Sequence, residues 1–122
     1  STSPDRSKPE PYPRQSAWEF YTNVKDHIAY VHIKDGTFIA ENPDGIFDEA
    51  RYTWAGEGDG DVCRIVADLL AGGYDGGFSM EPHLSVVFHD DSVQSEDEAR
   101  YASYVEYGRR FMRLVQEAHQ GA

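Results

Sequence analysis

The stretch AYVHIKDG, residues 29–36, decides the fold, because it begins as an apolar run and ends in chemically active side chains. Its β-branched and aromatic residues predict a strand over 28–34. Successive side chains of a strand alternate between its faces, so Tyr30, His32 and Lys34 share one face. The other face is apolar and suits packing beneath helices; it carries Ala29, Val31 and Ile33. The polar face must therefore border solvent or a ligand.

A second short strand, GFSME at 77–81, repeats this design. Phe78 and Met80 fall on one face, whereas Ser79 and Glu81 fall on the other. The acidic side chain of Glu81 comes last, as the chemically active side chains do in the first strand. Each strand is therefore predicted to deliver polar groups at its carboxyl end.

Between the two strands, the segment DVCRIVADLLAGG at 61–73 predicts a helix, with apolar residues at helical spacing and glycines at its end. Strands joined by a helical crossover should be parallel, with a right-handed connection. Their carboxyl ends then meet at one edge of the sheet, where α/β folds bind ligands. We therefore expect His32 and Glu81 to contribute to an active or metal site.

Further predicted segments lie before and between the two strands. Residues 1–15 hold four of the six prolines and predict a loop or linker. Ser16 and Glu19 form a capping box, which predicts a helix over about 16–25. Residues 35–60 form a long connection punctuated by glycine, and such loops usually belong to a binding site.

The C-terminal region predicts one more helix. A second capping box, Ser95 with Glu98, follows a loop at 82–94, and the helix runs to about residue 118. Its expected buried face is a stripe of four apolar residues: Ala102, Val105, Met112 and Val115.

The chain of 122 residues is long enough for one ordinary domain. Two parallel strands with three amphipathic helices cannot cover both faces of a sheet or close a barrel. We therefore interpret residues 1–122 as a single partial domain. Its open edges need either more polypeptide or copies of the same chain.

The composition disfavours several classes of partner. With 22 acidic and 11 basic residues, the formal charge is −11, which repels nucleic acids and anionic membranes. No apolar run approaches the about 20 residues of a membrane span. The single cysteine, Cys63, excludes an internal disulfide. Because it lies beside Val62 and Val66, we expect a buried thiol in a cytoplasmic protein.

These segments together resemble the sugar phosphate isomerase/epimerase family, the xylose-isomerase-like TIM barrels. The similar segments are HIAYVHIKDG at 27–36, the Gly-Glu-Gly of YTWAGEGDGD at 52–61 and GYDGGFSMEPH at 73–83. The resemblance covers residues 16 to about 118. It implies an α/β fold, namely the C-terminal portion of a (β/α)8 barrel with about strands seven and eight and helices six to eight.

The resemblance also implies a site. In such enzymes a Glu, an Asp, a His and a second Glu from successive strands hold one divalent cation; His32 matches the histidine and Glu81 the last glutamate. The cation would be Mn²⁺, Mg²⁺, Co²⁺ or Zn²⁺. Glu81 would also move a proton during isomerisation of a sugar or sugar phosphate through an enediolate. Lys34 and Asp35 are candidate substrate contacts, and His83 is a further candidate residue.

Several alternatives stay open. An endonuclease IV-like phosphodiesterase belongs to the same superfamily, but the charge of −11 and a single strand-end histidine count against it. A non-catalytic half-barrel that self-associates would also bury the open edges. Lys34 and Asp35 could form an ordinary surface ion pair. For the isomerase, the N-terminal half of the barrel or a homo-oligomer would complete the fold, and we expect the isolated chain to be inactive.

Overall fold

The computed structural model describes residues 4–41, 49–81 and 96–120. In chain order the elements are α1 (Ala17–Val24), a 3-10 turn (Lys25–His27), β1 (Val31–Ile33), β2 (Asp35–Ala40), β3 (Glu49–Thr53), α2 (Val62–Ala71), β4 (Phe78–Met80) and α3 (Glu96–Gln120). The described strands form two two-stranded sheets, β1 with β4 and β2 with β3. The loop predicted over 82–94 and the capping residue Ser95 lie outside the described residues.

Strands β1 and β4 pair in parallel, as predicted. The register joins Val31 to Phe78, His32 to Ser79 and Ile33 to Met80. The alternation of faces is also confirmed, because Ile33 is buried in the core whereas His32 and Lys34 are exposed. Ala29 departs from the pattern: it is exposed and lies before the strand, which begins only at Val31.

Strands β2 and β3 form an antiparallel hairpin within the segment predicted to be one long loop. That prediction was wrong because the glycines favoured a loop assignment, although two short runs at 37–40 and 50–53 contain strand-forming residues. Gly36 suits the pairing, since an added Cβ there would lie 3.1 Å from the Arg51 carbonyl oxygen.

Helix α1 begins as predicted, because Ser16 Oγ accepts a hydrogen bond from the Glu19 N–H at 3.1 Å. The Glu19 carboxylate pairs with Lys8 Nζ at 2.9 Å, which ties the N-terminal loop to the helix. On the inner side, the Tyr21 hydroxyl donates to Asp68 Oδ2 of α2 at 2.6 Å. These contacts fix α1 against α2.

The core lies between the β1–β4 sheet and helices α2 and α3. Its buried members are Ile33, Val62, Val66, Tyr107 and Phe111. Phe78 of β4 meets Phe111 of α3 edge to face, with ring centroids 5.4 Å apart. Helix α2 ends as predicted at its glycines, and Gly73 adopts a φ of 87° that suits glycine.

The predicted stripe of α3 is only partly buried. Val115 packs against the core and Ala102 and Val105 are half-buried, whereas Met112 is 63% exposed. The buried residues of this helix are Ser103, Tyr107 and Phe111. Apolar and aromatic residues occur on more than one face of this helix, so spacing alone does not select the face that packs against α2.

Cys63 is exposed, so the prediction of a buried thiol was wrong. Val62 and Val66 of the same helix face the core, and Cys63 is rotated by about 100° from Val62. The sulfur itself lies against the backbone of Gly56, where an added Cβ would come within 2.7 Å of Sγ. Partial burial, and then the nearby acidic charges, raise the pKa of the Cys63 thiol, which disfavours the reactive thiolate.

Exposed apolar surface lies beside β1 and on α3. Beside β1 lies a groove of about 320 Å³ lined by residues of α1, β1 and α2, among them Phe20 and Tyr30, which are 70% and 62% exposed. On α3, Met112 is 63% exposed and lies one turn beyond Gly108, where an added Cβ would come within 3.3 Å of Met80 Cε. Among the described strands, no third strand pairs with this sheet. The helices in the described segments are too short or too polar to cross a membrane.

Candidate functional site

His32 and Glu81 meet at the carboxyl end of the parallel strands. The Nε2 atom of His32 lies 2.9 Å from Oε2 of Glu81, and Nδ1 lies 2.6 Å from Oγ of Ser79. The strand pairing holds this geometry, because the Glu81 N–H donates to the Ile33 carbonyl oxygen at 3.0 Å. The structure therefore brings together the two residues that the strand pattern selected.

These two side chains are accessible and carry atoms that bind metals. The side chain of His32 is 48% exposed and that of Glu81 is 42% exposed. Imidazole nitrogen and carboxylate oxygen both occur as ligands of divalent transition metals. The 2.9 Å contact between them is a direct hydrogen bond. The donor types of the pair are therefore compatible with part of a divalent metal site.

The described pair is smaller than a complete metal site. In residues 4–41, 49–81 and 96–120, no three side chains of His, Cys, Asp or Glu come together as a candidate cation site. His83, the further candidate residue, lies outside the described segments. The structure thus provides two donors and an accessible edge at which other donors can join them.

Ser79 is a site residue to which the sequence reasoning assigned no role. Its signal was already present, since it lies two residues before Glu81 and therefore on the same polar face. Its hydroxyl contacts the ring nitrogen of His32 that points away from Glu81. A histidine ligand generally needs such a partner to fix its orientation.

Lys34 extends from the same face as His32. Its Nζ lies 5.9 Å from the ring centroid of Tyr52 on β3, which is within the range of a cation–π contact. The side chain is exposed. The substrate contact expected of Lys34 stays a prediction.

Asp35 organises the backbone of the neighbouring loop. Asp35 is buried, at 4% exposed. Its carboxylate accepts hydrogen bonds at 2.9–3.1 Å from the N–H groups of four glycines, Gly36, Gly56, Gly58 and Gly60. Hydrogen bonds to an ionised carboxylate are stronger than neutral ones. These contacts give Asp35 a structural task, and they do not support the substrate contact expected of it.

The loop glycines are required by this close approach. An added Cβ on Gly58 would lie 2.5 Å from Oδ1 of Asp35, and one on Gly60 would lie 2.8 Å from the same atom. Gly56 has a φ of 89°, which side chains other than glycine rarely adopt. The GEGDG segment at 56–60 therefore surrounds a carboxylate of its own chain.

Helix α3 holds the outside of the same loop. The Arg110 guanidinium lies 4.2 Å from the ring centroid of Trp54, and its Nε donates to Glu106 Oε1 at 2.9 Å. Tyr107 of the same helix is buried. Its burial raises the pKa of the hydroxyl to about 12, and the nearby charge of Asp35 adds to this shift. The loop next to the candidate site is thus fixed from both sides.

Comparisons with known proteins add no relatives to this description. No protein-family model, no curated protein and no solved structure matches the chain. The functional interpretation therefore depends on the geometry of the strand ends and on the motifs of the chain itself.

Proposed function

We propose that residues 1–122 form the C-terminal part of a metal-dependent isomerase or epimerase that acts on a sugar or sugar phosphate. One observation carries the proposal: His32 Nε2 and Glu81 Oε2 lie 2.9 Å apart at the carboxyl ends of two adjacent parallel strands. That edge is where α/β folds place their ligands. The family resemblance of the same residues supplies the reaction class.

The proposed chemistry is proton transfer at the carbon next to the sugar carbonyl. A divalent cation held by His32 and Glu81 would supply a Lewis acid that polarises the carbonyl and acidifies the adjacent C–H. The Glu81 carboxylate would move a proton at that carbon, as general base or general acid, with the sugar passing through an enediolate and a second acid–base group acting opposite Glu81. The Lys34 ammonium offers a positive charge to a hydroxyl or phosphate oxygen of the substrate.

The open edges of the sheet support the view that further polypeptide completes the fold. The Val31 N–H donates to the Gly77 carbonyl, and the Ile33 carbonyl accepts from Glu81, so both residues direct their peptide groups toward β4. Backbone groups alternate along a strand, so those of His32 point toward the outer edge. A neighbouring parallel strand would pair with them and cover Phe20 and Tyr30. In the proposal, this strand belongs to the N-terminal half of the barrel.

Cation binding tests the proposal. Mn²⁺ affinity of the 122-residue chain is measured by electron paramagnetic resonance for the wild type, His32→Ala and Glu81→Gln. His32→Ala removes one of two donors and Glu81→Gln removes the negative charge of the other, so we expect each to weaken binding by at least tenfold. The isolated chain should not convert a ketose, because it supplies only two of the four ligands implied by the resemblance.

The chain offers matched controls for both substitutions. His27 lies on the 3-10 turn and Glu49 begins β3, and both are exposed. His27→Ala and Glu49→Gln should leave Mn²⁺ affinity unchanged. Equal affinity in the wild type and the His32 and Glu81 variants would contradict the proposal, as would turnover by the isolated chain.

A non-catalytic, self-associating module is the second candidate. Exposed apolar side chains beside β1 and on α3 favour it, because Phe20, Tyr30 and Met112 are each more than 60% exposed. Sedimentation velocity of the chain over a range of concentrations separates the two. A stable oligomer that binds no Mn²⁺ would support the module, whereas Mn²⁺ binding lost in His32→Ala would support the enzyme.

A further inference from the structure

Ser79 is placed to control which nitrogen of His32 faces the proposed cation. Its Oγ lies 2.6 Å from Nδ1, while Nε2 on the far side of the ring lies 2.9 Å from Glu81. The register of the parallel strands sets this contact, because His32 and Ser79 are partners across the ladder. The imidazole is therefore held at both nitrogens.

When the His32 ring is neutral, the chemistry of its two partners sets the direction of these hydrogen bonds. A neutral imidazole has one N–H donor and one acceptor nitrogen. An ionised carboxylate only accepts, so Nε2 must carry the proton when it faces Glu81. Nδ1 is then the acceptor, and the Ser79 hydroxyl donates to it.

Metal binding through Nε2 would reverse this arrangement. Nε2 would then offer its lone pair, so the proton of the neutral ring would be on Nδ1. Nε2 would lose its proton to water and Nδ1 would take one from water, leaving the charge of the ring unchanged. The Nδ1–H would donate to Ser79 Oγ. A serine hydroxyl can both donate and accept, so it is suited to both states.

We propose that Ser79 is a positioning residue, whose hydroxyl exchanges its donor role for an acceptor role when His32 binds a divalent cation. The inference rests on the proposed metal site and adds the residue that orients one of its ligands. Partners of this kind contribute about 10–100-fold in metal affinity.

Nitrogen-15 NMR of the histidine rings tests this role directly. The 122-residue chain is labelled, and the His32 ring is observed at pH 8 without metal and during titration with Zn²⁺. In the wild type we expect the proton on Nε2 without metal and on Nδ1 after Zn²⁺ binding. Ser79→Ala should lower the Zn²⁺ affinity read at His32 by about 10–100-fold. Ser79→Thr keeps the hydroxyl and should restore it.

The possible results separate the two proposals. If Zn²⁺ does not perturb the His32 ring of the wild type, the metal site itself is wrong, and the role of Ser79 fails with it. If Zn²⁺ binds at His32 but Ser79→Ala binds equally tightly and shows the same proton shift, only the role of Ser79 is overturned. A proton on Nδ1 before metal is added would also overturn it. His27→Ala, outside the site, is the matched control for the spectra.

Discussion

Four glycine N–H groups donate hydrogen bonds to the buried carboxylate of Asp35. Folding stability should therefore be sensitive to substitution of this residue. In Asp35→Asn, the amide NH₂ would face two of these N–H donors, which then lose their acceptor. Each hydrogen bond to a charged group contributes about 1.5 kcal/mol or more. We expect the free energy of unfolding to fall by about 3 kcal/mol, measured by urea denaturation.

Asp75→Asn is the matched control, because Asp75 is exposed and lies outside the loop. It should change the free energy of unfolding by less than about 0.5 kcal/mol. If Asp35→Asn also changes the free energy of unfolding by so little, the carboxylate does not stabilise the loop. The substrate contact first expected of Asp35 would then be the better explanation of this residue.

Unlike the carboxylate of Asp35, the buried hydroxyl of Tyr107 lacks a hydrogen-bond partner among the described residues. Tyr107 is 1% exposed. Removing an unsatisfied polar atom relieves its desolvation cost, so Tyr107→Phe should leave the free energy of unfolding at pH 7 unchanged or raise it by about 1 kcal/mol. Urea denaturation measures this, and a loss above about 1 kcal/mol would mean that the hydroxyl is partnered.

The same variant has a defined pH dependence. Burial, and then Asp35, raise the pKa of Tyr107 in the folded chain from 10.0 to about 12. The stabilisation linked to this shift is fully present below pH 10 and is lost as the pH rises toward about 12, because the unfolded state ionises first. The advantage of Tyr107→Phe over the wild type should therefore grow between pH 9 and 12. A constant difference across that range would contradict the raised pKa.

Helix α3 can be tested for which of its faces is buried. Phe111 lies in the core and Met112 is 63% exposed, although they are adjacent in sequence. Phe111→Ala should lower the free energy of unfolding by about 3–5 kcal/mol. Met112→Ala should change it by less than about 0.5 kcal/mol. Thermal or urea denaturation measures both, and reversed magnitudes would restore the stripe first predicted from spacing.

The elements differ in how well the sequence predicts them. The two parallel strands and the shared face of His32, Ser79 and Glu81 were predictable, because period-two alternation and a helical crossover constrain them strongly. The β2–β3 hairpin was not, since its strands are short and glycine dominates the local signal. The face of α3 and the exposure of Cys63 depend on which neighbour each helix packs against, and single-helix spacing does not contain that information.

At the scale of the whole molecule, the described residues form two small sheets and three helices, with exposed apolar side chains beside β1 and on α3. In the proposal, more polypeptide covers these side chains. The dye ANS fluoresces on exposed apolar surface, so we expect the 122-residue chain to bind it. Phe20→Gln and Met112→Gln should together reduce the fluorescence, because these residues are 70% and 63% exposed.

Tyr12→Gln provides the control for this measurement. Tyr12 is also exposed, at 42%, but it lies in the N-terminal loop, outside the named strands and helices. This variant should leave the ANS signal unchanged. If Phe20→Gln and Met112→Gln have no more effect than the control, the dye does not bind at the exposed apolar side chains of α1 and α3, which would contradict the covering polypeptide of the proposal.

A crystal structure of the chain soaked in Zn²⁺, with anomalous scattering to locate the ion, tests the shared metal site most directly. We expect an anomalous peak between His32 and Glu81, at about 2.0–2.2 Å from Nε2 and from a carboxylate oxygen. A peak bound elsewhere, with the 2.9 Å contact between these two side chains unchanged, would contradict the metal site and with it the proposed isomerase.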